Sequence, residues 1–296
     1  MKVIYGIVAG ALLALPATAA PKPITRRTIT TSLLDKLDFF AQYSAAAYCS
    51  ANLDTTGIAL ACSAGNCPEV EAADTTILYN FDSSSSFGDA TGYVAVDNTN
   101  GYIIVSFRGS SDFSNWVANL DIPLIDASSI CSGCKVHEGF WDTWATVASN
   151  VEATVESALS TYPGYTLVTT GHSLGGALAA IAASVFRASG YTVELYNYGQ
   201  PRIGNLALAD FITSENAGSN YRVTHTDDIV PKLPPKLLGY DHFSPEYWVT
   251  SDNNVAVTDS DVVEVQGVDS TAGNDGTSGD STSAHSWYFV AISACS

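Results

Sequence analysis

The chain has 296 residues, 46% of them hydrophobic, and a formal net charge of −18. That length and apolar content suffice for one sizeable core. The acidic balance repels phosphate backbones and anionic head groups, which excludes nucleic-acid partners and electrostatic attachment to anionic lipid.

Residues 1–20 read as a secretory signal. Lys2 is followed by an almost wholly apolar run from Val3 to Leu15, and Ala17-Thr18-Ala19 fits a small-residue cleavage site. The run is too short for a membrane span, and no later stretch resembles a transmembrane segment. Residues 21–27 end in Arg26-Arg27, a dibasic pair that fits a propeptide boundary; a plain basic arm is the alternative. These 27 residues hold four cations and no acid, so residues 28–296, read as one domain, carry −22. A secreted, extracellular protein is expected, and its six cysteines agree: an even count behind a signal implies disulfides. Spacing favours Cys62–Cys67 and Cys131–Cys134, leaving Cys49–Cys295 to tie the termini. The C-x-x-C at 131–134 has no second pair and no adjacent histidines, so it does not read as zinc. No N-glycosylation sequon occurs.

The pattern predicts a helix over Thr31–Ala47, with Leu33, Leu37, Phe40 and Ser44 on one stripe, then strands at Thr76–Phe81, Gly92–Asp97 and Tyr102–Phe107. Val136–Leu159 reads as helix. Thr192–Tyr198, Tyr221–His225, Trp248–Thr250 and Val262–Gln266 read as further strands, and Leu206–Thr213 as helix. Asp269–Ser283 is a long Gly/Ser/Thr/Asp loop, and Ser286–Ile292 an apolar terminal helix. Strands alternating with helices indicate an α/β fold, the clustered early strands an antiparallel part of its sheet.

Gly171-His172-Ser173-Leu174-Gly175 stands between the β-rich Tyr165–Thr170 and the small-residue run Gly176–Ala183. Strand, G-x-S-x-G and helix in that order form the context of a nucleophile elbow, where a tight turn requires small neighbours. Ser173 is the candidate nucleophile. A base should take its proton and an acid should orient that base, in the chain order Ser, acid, His. Of the histidines beyond Ser173, His225 precedes the best acids, Asp227-Asp228, at the tip of the strand Tyr221–His225, with Glu194, Asp210 and Asp241 as formal alternatives. His285 and His242 remain, and the place of His285 after the long loop favours it. Ile229 and Val230 are candidates to line an acyl pocket.

One oxyanion donor should be the N–H of Leu174 and the other should come from an early strand–loop junction. Ser106–Ser110 fits, with Ser110 as donor. Beyond it Phe113, Trp116, Val117 and Leu120 fall at i, i+3, i+4 and i+7, one apolar face of a short helix. Beside an oxyanion residue this reads as a lid that opens toward an oily surface, or else as a helix packed permanently on the core.

Taken together, these residues resemble the secreted filamentous-fungal lipases of class 3, triacylglycerol lipases with an α/β-hydrolase fold. The resemblance rests on Ala41–Cys49, Ser106–Ser110, Cys131–Cys134, Thr170–Ala179, Tyr198–Asn205, Thr224–Pro231 and Ala284–Phe289. It implies a mixed, mostly parallel sheet with helices on both faces. It implies nucleophile Ser173, acid Asp228 rather than Asp227, base His285, oxyanion donors Ser110 and Leu174, and a lid around Trp116. It also implies Cys49–Cys295, Cys62–Cys67 and Cys131–Cys134. No metal or cofactor is implied; the expected partners are an ester substrate and a lipid–water interface, and the expected state is a monomer. The chain departs from the pattern at Ser111 and Pro123, where relatives carry Arg and Asp, and at Thr282 and Ser286, where they carry bulky aliphatics. More polar residues there favour shorter or more polar acyl groups. Feruloyl esterases share the family, although the apolar face around Trp116 argues against that reading; a short-chain esterase shares the machinery, and an inactive lipid-binding protein is the remote alternative.

Overall fold

The computed structural model describes residues 27–110, 122–214 and 216–295. The expected signal, most of the expected propeptide and the apolar segment Phe113–Leu120 lie outside the described residues. Helix α1 (Thr31–Ala46) starts where the Thr30 side chain accepts from the Leu33 N–H at 3.2 Å. The short α2 (Pro68–Ala72) follows. Strands β2 (Thr75–Ser84), β3 (Asp89–Asp97) and β4 (Tyr102–Phe107) form an antiparallel meander. Parallel strands β7 (Thr166–His172), β8 (Val193–Tyr198), β9 (Asn220–His225) and β10 (Glu246–Val249) continue from β4, and the antiparallel β11 (Val262–Val265) and β1 (Arg27–Thr28) close the far edge. The nine strands run β1-β11-β10-β9-β8-β7-β4-β3-β2. A mixed, mostly parallel core is therefore present, as expected.

The central strands are buried along nearly their whole length because helices cover both of their faces. On one face α1 packs with Phe40, Tyr43 and Tyr198. On the other lie α3 (Glu138–Ala145), α4 (Ala148–Thr161) and α5 (Leu174–Ala188). Nearly every residue of α5 is buried, and its alanines let it sit close to β7 and β8. The remaining elements are the ribbon β5 (Leu124–Asp126) with β6 (Lys135–His137), helix α6 (Leu206–Ser214), and the ribbon β12 (Trp287–Tyr288) with β13 (Val290–Ala291). All three expected disulfides are formed, and Cys49–Cys295 joins residues 246 apart.

Two expectations are corrected. The helix expected over Val136–Leu159 begins as strand β6. His137 then caps α3 by accepting from the Phe140 N–H at 3.2 Å, and the helix is interrupted at Thr146-Val147. The helix expected over Ser286–Ile292 is a 3₁₀ turn (Ala284–Ser286) running into β12 and β13. Phe289 sits at φ 61°, which turns the chain back, and aromatic and β-branched neighbours suit extended backbone. The apolar pattern of that segment still has its purpose: Tyr288 and Ile292 are fully buried.

Candidate active site

Register brings the carboxyl ends of the parallel strands to one edge: Phe107 pairs with Gly171, His172 with Tyr198, and His225 with Val249. Open α/β sheets bind ligands at this edge. Ser173 lies between β7 and α5 at φ 60° and ψ −126°, a conformation few non-glycine residues adopt. The turn closes because its neighbours lack side chains. A Cβ on Gly171 would stand 2.3 Å from the Gly175 carbonyl oxygen, and one on Gly175 would stand 2.1 Å from that of Phe107. The Ser173 N–H donates to the Tyr198 carbonyl at 2.9 Å, which ties the elbow to β8. Its Oγ is buried and makes no hydrogen bond to the described residues.

Asp228 follows β9 and is 0% exposed. The chain turns there through Thr226, at φ 37°. Oδ1 of Asp228 accepts from the Val230 N–H at 2.9 Å, and Oδ2 accepts from His285 Nδ1 at 2.8 Å and from the Tyr288 hydroxyl. His285 is buried on the 3₁₀ turn before β12, and its ring lies against Gly199, where a Cβ would be 2.9 Å from Cε1. Since Gly199 directly follows the residue that accepts from the Ser173 N–H, the imidazole stands beside the nucleophile. His172 and His285 have ring centroids 4.4 Å apart.

The alternatives left open in the sequence separate here. Asp227 faces the loop instead, where a Cβ on Gly279 would lie 1.9 Å from its Oδ2. His242 is buried with Nε2 2.6 Å from the Pro231 carbonyl oxygen. Burial, followed by the Arg222 and Arg202 charges, pushes its pKa well below the usual value. Both ring nitrogens of His225 face carbonyl oxygens, of Ala284 at 2.9 Å and Ser251 at 2.8 Å.

Ser110 follows β4 at the elbow: a Cβ on the preceding Gly109 would be 3.1 Å from Ser173 Cβ. Leu174 opens α5, so its amide belongs to the first helical turn, whose N–H groups have no acceptor within the helix. Val230 is fully buried in the same core cluster as Leu174, and Ile229 is packed against it. Phe113, Trp116, Val117 and Leu120 lie outside the described residues. Among the described residues, no group of three His, Cys, Asp or Glu is placed to hold a metal.

Several polar residues that support this arrangement are absent from the sequence-based set. Asn274 Nδ2 donates to the Asp228 carbonyl at 2.9 Å, and its own N–H donates to the buried Glu246 at 3.0 Å. Glu246 also accepts from Thr224 at 2.5 Å and pairs with Arg222 at 3.4 Å. The long loop is held on its other side by Arg202 on Asp275 at 2.6 Å and by Lys236 on Asp269 and Asp275 at 2.8 Å each. The sequence signal for these contacts was weak, because they join residues tens of positions apart.

Two family models match the chain, "Lipase (class 3)" over residues 104–238 and "Lipase 3 N-terminal region" over residues 6–79. The secreted mono- and diacylglycerol lipase A of Penicillium camembertii is 44% identical over 282 residues, covering 93% of this chain and 91% of that protein. The secreted mono- and diacylglycerol lipase 1 of Fusarium solani is 41% identical, covering 90% and 79%. The solved structure of the mono- and diacylglycerol lipase from Aspergillus oryzae superposes with a TM-score of 0.84 at 41% identity, over 90% of this chain and 100% of that one.

Proposed function

The chain belongs to the class 3 lipases with the α/β-hydrolase fold, and on that premise we propose that Ser173, Asp228 and His285 hydrolyse acylglycerol esters through an acyl-enzyme. The protein is a secreted lipase, a hydrolase of carboxylic esters. The observation that carries the site assignment is the buried Asp228–His285 pair set beside Ser173, whose backbone is strained and whose hydroxyl has no partner among the described residues.

His285 takes the proton of Ser173 as Oγ attacks the ester carbonyl, and then delivers it to the departing glycerol oxygen. Asp228 holds the imidazole by Nδ1 and balances its positive charge. The N–H groups of Leu174 and Ser110 bind the oxyanion, and water releases the fatty acid. No step calls for a metal or cofactor.

For the substrate, partial acylglycerols come first. The Penicillium camembertii and Fusarium solani relatives carry that description, and Thr282 and Ser286 beside the base make the neighbouring groove more polar. Triacylglycerol, the substrate implied by the wider resemblance, is the comparison that tests this order. Contact with the lipid surface is assigned to the apolar residues Phe113, Trp116, Val117 and Leu120, on a monomeric enzyme. We further read residues 1–20 as signal and 21–27 as propeptide.

The deciding experiment measures fatty-acid release from emulsified mono-, di- and triolein, from soluble butyrate ester and from feruloyl methyl ester. Release from the partial glycerides should exceed that from triolein. Preference for the feruloyl ester would overturn the lipid reading, and full turnover by folded Ser173→Ala would overturn the site.

A further inference from the structure

His172, the variable position of the elbow motif, is 2% exposed and has a partner on each ring nitrogen. Nε2 is 2.8 Å from the His285 carbonyl oxygen, and Nδ1 is 2.7 Å from the Tyr48 hydroxyl. The direction of each bond follows from chemistry. A carbonyl only accepts, so Nε2 carries the hydrogen. Burial, followed by the neighbouring His285, pushes the His172 pKa well below the usual value, so the ring is neutral and Nδ1 is bare. Tyr48 therefore donates to Nδ1, and its oxygen lies close against Gly109. Burial pushes the Tyr48 hydroxyl above its ordinary pKa, which keeps the donor protonated. Gly109 has no alternative side chain, since a Cβ there would stand 2.1 Å from the Tyr48 oxygen.

The resulting chain runs Tyr48 O–H, His172 N–H, His285 C=O. One end packs against Gly109, the residue before the oxyanion donor Ser110, and the other is the backbone of the base. Along the sequence Gly109 and His285 are 176 residues apart. We infer that Tyr48 and His172 are positioning residues that fix the oxyanion loop and the base-bearing turn relative to each other across the nucleophile. The inference rests on the proposed triad. Neither side chain reaches the reacting atoms; each sets where the transition state finds its donors. Displacements of about 1 Å in such donors cost on the order of a hundredfold in rate.

The test uses the two amides as half-replacements. His172→Gln keeps a donor near the position of Nε2 but removes the acceptor for Tyr48, and His172→Asn does the reverse. Tyr48→Phe removes the hydroxyl and keeps the ring. The acylation rate constant is read from the burst with soluble p-nitrophenyl butyrate, per active site titrated, alongside circular dichroism. Each single variant should slow acylation about ten- to a hundredfold, with KM within about threefold. Tyr48→Phe combined with His172→Gln should be no slower than the slower single variant, because both break the same chain. Acylation within twofold of the parent in all three singles overturns the inference, as do losses that multiply in the double variant. Ser173→Ala run alongside keeps the two claims apart: a burst in that variant would sink the triad itself.

Discussion

The hydroxyl of Tyr288 and the imidazole of His285 meet on one atom, Oδ2 of Asp228. Both donors come from the four residues 285–288, which run from the 3₁₀ turn through β12. Burial first, then the Asp228 charge, raises the Tyr288 pKa well above its ordinary value, so the phenol remains a donor at every working pH. A carboxylate that already accepts from Tyr288 and Val230 attracts the imidazole proton less strongly than a bare one would.

Tyr288→Phe should therefore strengthen the hold of Asp228 on the protonated base. The acid limb of kcat/KM against pH should move to higher pH, and activity near pH 6 should fall several-fold. Losing a hydrogen bond to a charged group costs about 1.5–3 kcal/mol, so the melting temperature should fall as well. A lower melting temperature with an unmoved acid limb would make Tyr288 a packing residue only.

Asp227 and Asp228 provide a paired control, since they are chemically alike and adjacent. Asp228→Asn leaves the shape but removes the charge and favours the wrong imidazole tautomer; kcat should fall by about 10³–10⁴. Asp227→Asn removes a carboxylate that faces the loop and should leave kcat within about threefold of the parent. Equal losses on a soluble ester would refute the assignment of the acid.

The adjacent pair also shows how far the sequence carries. Chain order and the strand tip narrow the acid to residues 227 and 228, but the choice between them depends on the turn at Thr226. The elbow is legible because the close approaches at Gly171 and Gly175 permit no other residue there, leaving a local signature. The order of the loop 269–283 is not legible. Its composition reads only as a long polar loop, yet Arg202, Lys232 and Lys236 hold it from 33 or more residues away. The segment 286–292 misleads for a different reason. Buried residues three or four apart suit a helix, but they also arise where Phe289 turns a short ribbon back on itself.

Cys49–Cys295 closes a loop across 246 residues and ties the end of α1 to the C-terminal ribbon that carries Tyr288. Paired replacement by alanine should cost about 2–5 kcal/mol, mainly through the freer unfolded chain. At about 2–4 °C per kcal/mol for a chain of this size, the melting temperature should drop by roughly 5–20 °C. Cys62–Cys67 closes a loop of only 5 residues, and its removal should cost less. Calorimetry of the two pairwise variants checks the order, and equal losses would contradict it.

Acid sensitivity should come from two buried neutral histidines. Burial pushes both His172 and His242 well below the ordinary value of 6.5, so neither takes a proton in the fold that it takes readily once unfolded. The unfolded state then binds more protons, and stability rises with pH through the window below 6.5. Their contribution is complete above about pH 7 and declines as pH falls toward 5, by up to about 1.4 kcal/mol per unit for each ring. Asp38 and Glu194 act in the opposite direction, because burial raises their pKa values, but their effect starts from the ordinary carboxyl values of 3.8 and 4.5 and weighs most at lower pH. Urea unfolding between pH 7.5 and 5.5 should therefore show falling stability on acidification. His242→Gln keeps a donor for the Pro231 carbonyl and does not titrate, so it should flatten that fall by about half. A slope unchanged in this variant would show that His242 takes up its proton without unfolding.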